Sequence, residues 1–216
     1  MPRTALLSLV VGLLLAFGTS ASAEARGQPV VGLRASGLSA PERGALAAGR
    51  NVARPLRFAR GADGWYVGGV SYQVVRATPA EVLALVADVR SLPQALPYTE
   101  SAELVSSTGR TARVELVQGK APFLARYTIA LEQAESGDGI RFWLDPTRPH
   151  DVRDVWGFVR VKEFGPGRTL VTVAVALDLG PGLARLFFED RVERSILRAP
   201  AKIREFVEPR ALAALP

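Results

Sequence analysis

Residues 168–207, RTLVTVAVALDLGPGLARLFFEDRVERSILRAPAKIREFV, contain a change of hydrophobic period that decides the architecture. Val171, Val173, Val175 and Leu177 recur at every second position, the signature of a strand with one apolar face. Gly180-Pro181-Gly182 breaks that run. Phe188, Val192, Ile196, Ala199, Ile203 and Phe206 then step by four and three, which places one apolar stripe along a helix reaching about Val207. The opposite face carries Arg191, Arg194, Arg198, Lys202 and Glu205. Pro200 lies inside the stripe and removes a hydrogen bond to the carbonyl of Ile196, so a kinked helix is expected.

Upstream, the same period of two recurs in Ser101–Ser106, Thr111–Gln118, Phe123–Gln133, Ile140–Asp145 and Val152–Lys162, before the strand Thr169–Leu179. Thr108-Gly109, Gly137-Asp138-Gly139 and Gly165-Pro166-Gly167 supply turns between them, so consecutive strands are expected as antiparallel neighbours. Before this meander, Val70, Tyr72 and Val74 alternate with Ser71 and Gln73 as a first strand. Thr78-Pro79-Ala80-Glu81 then opens a helix with an N-cap, a proline in its first turn and a capping glutamate. The expected architecture is α+β: a curved antiparallel sheet of about seven strands wrapped around a long C-terminal helix, a helix grip.

The ends of the chain read differently. Pro2-Arg3, an apolar run from Ala5 to Phe17 and the small residues Ala21-Ser22-Ala23 have the form of a cleavable secretory signal over residues 1–23, which implies a periplasmic or secreted protein. This thirteen-residue run, which includes Ser8 and Gly12, spans only about 20 Å of helix, short of a bilayer core of about 30 Å. Residues 24–38 read as a flexible segment and 209–216 as a C-terminal tail, leaving a domain over 39–208. Within it, 39–64 form a helix capped by Ser39 and Glu42 and an extended arm carrying Val52, Leu56 and Phe58.

Composition narrows the chemistry. The 216 residues include no cysteine and one histidine, with 27 basic and 21 acidic side chains. This excludes disulfide frameworks, thiolate nucleophiles and multi-histidine or cysteine metal sites, and no cofactor or metal is expected. The net charge of +6 is spread through strands and helices without a basic block, so nucleic acid is not an expected partner.

The order of these elements resembles the START-like superfamily, also called SRPBCC or helix-grip proteins. Ala77-Thr78-Pro79-Ala80-Glu81-Val82, Val86-Ala87-Asp88-Val89 and the proline-rich Leu92–Pro97 look like its opening strand-to-helix segment. His150-Asp151-Val152, Gly157 and Gly167-Arg168-Thr169-Leu170-Val171 look like late strands of its coenzyme-Q-binding and polyketide-cyclase-like members. Leu83 and Val159 stand where many relatives carry tryptophan, so ligand preference does not transfer. The resemblance implies a cavity between sheet and final helix that holds an apolar small molecule such as a lipid, sterol or quinone-like compound.

The residues expected to line it are Tyr72, Leu116, Tyr127, Ile129, Phe142, Leu144, Gly157, Val159, Val173 and Val175, roofed by Leu186, Val192 and Ile196. Mid-strand Gly157 points to open space, a close approach or a bulge. The expected function is an exported, non-enzymatic binding protein or carrier, with transient membrane contact left open. Two alternatives remain at this level: a cyclase- or hydrolase-like enzyme using the cavity, and an interaction domain whose groove is filled by its own side chains. Asp145, His150, Asp151 and Asp154 could exchange protons, yet no nucleophile pattern accompanies them, and no catalytic residue is assigned. Trp143, Trp156 and Phe158 alternate onto the face opposite the cavity wall, where the arm with Val52, Leu56 and Phe58 is expected to cover them.

Overall fold

The computed structural model describes residues 37–60, 64–181 and 183–213, all within the unit Val31–Pro216. The expected signal and most of the segment 24–38 lie outside the described residues. The first described element, α1 (Ala40–Ala47), begins as its sequence dictates: the Ser39 hydroxyl accepts from the Glu42 amide while the Glu42 carboxylate accepts from the Ser39 amide at 2.7 Å. That carboxylate also takes Arg54 at 2.7 Å. The hydrogen bonds from Arg54 and Ser39 hold its pKa down at about 2.

Eight strands form one antiparallel sheet: β1 (Val52–Arg60), β2 (Gly64–Val75), β3 (Thr99–Thr108), β4 (Thr111–Lys120), β5 (Phe123–Gln133), β6 (Gly139–Leu144), β7 (Asp154–Gly165) and β8 (Arg168–Asp178). Their order is β1-β2-β8-β7-β6-β5-β4-β3. The meander from β3 to β8 is the one its turns predicted. The count rises from about seven to eight because the arm is itself a strand, paired with β2 from Val52 opposite Tyr72 to Arg60 opposite Gly64. Pro55 and the arginines of this edge strand discourage pairing with another chain. Gly68 and Gly69 let β2 pass tightly between its neighbours, since a Cβ would stand 2.0 Å from the Val175 carbonyl oxygen at 68 and 2.2 Å from that of Arg54 at 69.

Each face of the curved sheet has its own core. On the concave face, α2 (Pro79–Ala87) and α5 (Ala199–Ala213) pack Val82, Val86, Ile203, Phe206 and Val207 against Val159, Val161, Val171 and Val173. A single turn of 3-10 helix at Val89–Ser91 and α3 (Leu92–Ala95) cover Val114, Leu116, Ile129 and Leu144. On the opposite face, Leu46 of α1 and the arm's Val52, Leu56 and Phe58 join Tyr66, Val70, Tyr72 and Trp156. Phe58 stacks on Tyr66 at 5.1 Å and meets Trp156 edge-on at 6.5 Å, so the arm does cover that tryptophan. Trp143 stays more than one-third exposed.

The expected long helix is two. α4 (Leu183–Leu197) ends where the Arg198 amide turns back to the Ser195 carbonyl at 3.1 Å, and α5 starts at Ala199. Pro200 therefore sits in the first turn of a new helix, where a missing N–H is harmless, instead of kinking a continuous one. α5 also continues through Pro209 to Ala213, so residues 209–213 are helix and not tail. Arg57 of β1 fixes α4 to the sheet edge through Glu189 at 3.2 Å, Asp190 at 2.7 Å and Glu193 at 2.6 Å. Glu208 ties α5 to the end of β2 by accepting the Arg76 amide at 3.0 Å, while Arg204, one turn earlier on the same helix, donates to it at 3.0 Å.

Candidate functional site

Strand register gathers nine of the expected lining residues on the concave face. Leu116 lies opposite Tyr127, and Ile129 opposite Leu144. Phe142 pairs with Gly157 and Gly157 with Val175, while Val159 pairs with Val173. Val192 and Ile196 are half-buried on α4, which lies against β2 and β1. The side chain of Leu186 lies outside the described ones.

Tyr72 is a correction. Ser71 stands opposite Val173, so the concave face of β2 carries Ser71 and Gln73, and Tyr72 turns to the other face with Val70 and Val74. The larger apolar residues of β2 point away from the grip because α1 and β1 build a second core there. Gly157 resolves as a close approach: a Cβ there would stand 2.6 Å from the Phe142 Cζ and 2.1 Å from the Ala174 carbonyl oxygen. The ring of Phe142 thus occupies the place that a side chain at 157 would take.

The concave face is not closed throughout. Phe142, Val175 and Leu177 remain half-buried although their strands are paired on both sides, as do Ala125 and Leu131 of β5. Beside them runs a polar chain that the sequence reading missed. The Tyr127 hydroxyl donates to the Gln118 side-chain oxygen, the Gln118 nitrogen donates to the Thr99 hydroxyl at 2.7 Å, and Thr99 donates to the Pro97 carbonyl at 3.5 Å. Burial pushes the Tyr127 phenol far above its ordinary range, which keeps it a neutral hydrogen-bond donor. Gln118 is half-buried and retains donor and acceptor capacity beyond these bonds. The Ser71 hydroxyl, buried on the same concave face, has no hydrogen-bond partner among the described residues. The signal for Gln118 was available in sequence: a polar residue at the inward phase of the Val114-Leu116 alternation.

The acidic and histidine group is occupied by loop structure. His150 Nδ1 lies 2.8 Å from the Val152 carbonyl oxygen, Asp151 accepts the Arg126 amide at 2.8 Å, and Asp154 accepts the Tyr66 hydroxyl. Burial would raise the pKa of Asp145, but Thr147 and Arg113 donate to it and hold it below its ordinary value. No cluster of histidine, aspartate and glutamate among the described residues is arranged to hold a metal ion.

An open cleft of about 620 Å³ lies elsewhere, between α5 and the end of β2, lined by Asn51, Gln73, Arg76, Arg204 and Glu208 among others. Its charges satisfy one another: burial would raise the Glu208 pKa, but Arg76 and Arg204 together hold it low. Its arginines and glutamate are closed on one another, and Ala201, Pro209 and Leu212 supply the apolar part of its lining.

None of the curated proteins matches the chain. Among solved structures, the protein TTHA0849 of Thermus thermophilus is 20% identical with a TM-score of 0.58, covering 68% of this chain and 98% of its own. A STAR-related lipid transfer protein of Xanthomonas axonopodis is 14% identical with a TM-score of 0.56, over 72% of this chain and 98% of its own. The Streptomyces aromatase/cyclase Zhui is 15% identical with a TM-score of 0.55, over 74% and 94%. At such identities the likeness is one of fold, and it is the START/SRPBCC helix-grip fold that the element order resembles. Over residues 75–200, more than half its length and the whole span from the end of β2 to the start of α5, the chain belongs to the family described as polyketide cyclase / dehydrase and lipid transport.

Proposed function

We propose that this protein is an exported carrier that binds an apolar small molecule, lipid-, sterol- or quinone-like, on the concave face and performs no chemistry on it. One observation carries the reading: Phe142, Val175 and Leu177 keep accessible apolar surface in the middle of the sheet, where a filled groove would have closed over them. Each methylene buried there contributes about 0.8 kcal/mol, so a dozen carbons supply on the order of 10 kcal/mol before the costs of association. Gln118, half-buried in the polar chain beside them, then provides hydrogen bonds for a polar end of the ligand. The Zhui aromatase/cyclase shares the fold, but here the single histidine, His150, and its neighbour Asp151 are tied into the β6–β7 loop and not into the grip.

The test is the cargo itself. The full chain, purified from the compartment to which it is exported, is extracted with organic solvent and analysed by mass spectrometry. A stoichiometric apolar species is expected, and it should disappear in Val175→Trp at unchanged secondary structure. Protein that is free of such a species and takes up no 1-N-phenylnaphthylamine would overturn the proposal.

A further inference from the structure

The tip of the β4–β5 hairpin is apolar and exposed. Phe123 is 60% exposed and Leu124 42%, and beside them Tyr98, between α3 and β3, is 47% exposed. Phe123 is held against Phe188 of α4, ring centres 4.5 Å apart, so the tip reaches across to the helix. Two cations flank it: Lys120 Nζ lies 5.3 Å from the Tyr98 ring centre, and the Arg191 guanidinium 6.0 Å from that of Phe188. Neither cation is paired with a carboxylate among the described residues, whereas nearby Arg126 is engaged by Glu115 at 2.6 Å. Tyr98 adopts a left-handed backbone with φ of 51°, unfavourable for a residue with a Cβ, and its carbonyl accepts the Gly119 amide at 2.8 Å. The fold thus holds an aromatic side chain outward beside the hairpin, although folding alone gains nothing from an exposed ring.

We propose that this tip docks the protein on an anionic lipid bilayer. Aromatic and aliphatic side chains entering the headgroup region, with unpaired Lys and Arg around them, are the chemistry of an interfacial anchor on a negatively charged leaflet. A second copy of the chain fits less well. A self-complementary contact would bring the like charges of Lys120 and Arg191 from two copies together. The docking surface adjoins the polar chain on the concave face, since Gln118 and Thr99 are the chain neighbours of Gly119 and Tyr98. The inference stands on the surface alone and does not require that the grip carry cargo.

The experiment is co-sedimentation of the full chain with phosphatidylcholine vesicles and with vesicles containing 30% phosphatidylglycerol. Wild type is compared with Phe123→Ser/Leu124→Ser, Lys120→Glu/Arg191→Glu and the distant charge control Lys162→Glu/Arg168→Glu, with thermal melting confirming that each is folded. Selective binding to the anionic vesicles is expected. It should weaken about tenfold on loss of the apolar pair and by at least about thirtyfold on reversal of the flanking charges, with the distant control near wild type. Equal weakening by the distant control would reduce the effect to net charge and overturn the proposal. So would absence of anionic binding in the wild type, or a dimer by light scattering that Phe123→Ser/Leu124→Ser dissolves.

Discussion

The Tyr127–Gln118 pair offers the sharpest quantitative check on the concave face, because its two halves are unequal. Tyr127 is enclosed, and its hydroxyl has Gln118 as hydrogen-bond acceptor; Gln118 is half-buried and can turn to water or ligand. Tyr127→Phe removes one neutral hydrogen bond and leaves behind a group that can be rehydrated, a loss of about 1 kcal/mol. Gln118→Ala removes the bonds to Tyr127 and Thr99 and leaves the phenol buried without an acceptor, which costs about 2–3 kcal/mol. For a chain of this size these losses lower Tm by about 2–4 °C and about 4–12 °C. Urea denaturation of both single variants and the double variant yields the coupling energy, expected at about 1 kcal/mol, with the double variant less destabilised than the sum. If Gln118→Ala proves no worse than Tyr127→Phe, water reaches the hydroxyl, and the burial of Tyr127 on the concave face does not hold.

Two further outcomes follow from contacts already described. Gly157→Ala forces a methyl into the Phe142 ring and the Ala174 carbonyl, so unfolding free energy should drop by about 1–3 kcal/mol; a change within about 0.5 kcal/mol would show that β7 and β8 are not in the close register seen here. Acid should destabilise the fold through Glu208 and Asp145, whose pKa values lie below the ordinary 4.5 and 3.8. Their contribution is fully present above those unfolded values and is lost as pH falls through the lower, folded ones. Tm measured from about pH 6 to about pH 2.5 should therefore decline below about pH 4.5, less steeply in Glu208→Gln, and an unchanged slope in that variant would refute the role assigned to the carboxylate.

The elements were legible where a local cause fixes them. Ser39 with Glu42 and Thr78 with Glu81 start helices in any context that admits one, and both capping boxes formed. The alternation of Val171, Val173 and Val175 could satisfy only a strand. Pro200 announced an interruption, but whether the chain bends or starts a new helix depends on what each half packs against: α4 is drawn to β1 by Arg57, and α5 to the β2–α2 junction by Glu208.

The sequence by itself determined the order of strands β2 to β8, the capped starts of α1 and α2, and the grip they compose, because periodicity, caps and turns act over a few residues. Only the tertiary structure decided which side of β2 faces the grip, since a strand with apolar residues in one phase cannot reveal that α1 and β1 form a second core behind it. It also decided that Phe142 occupies the space left by Gly157 and that Tyr127, Gln118 and Thr99 meet. Those contacts join residues far apart along the chain, and register and packing between strands, not local pattern, bring them within hydrogen-bonding reach.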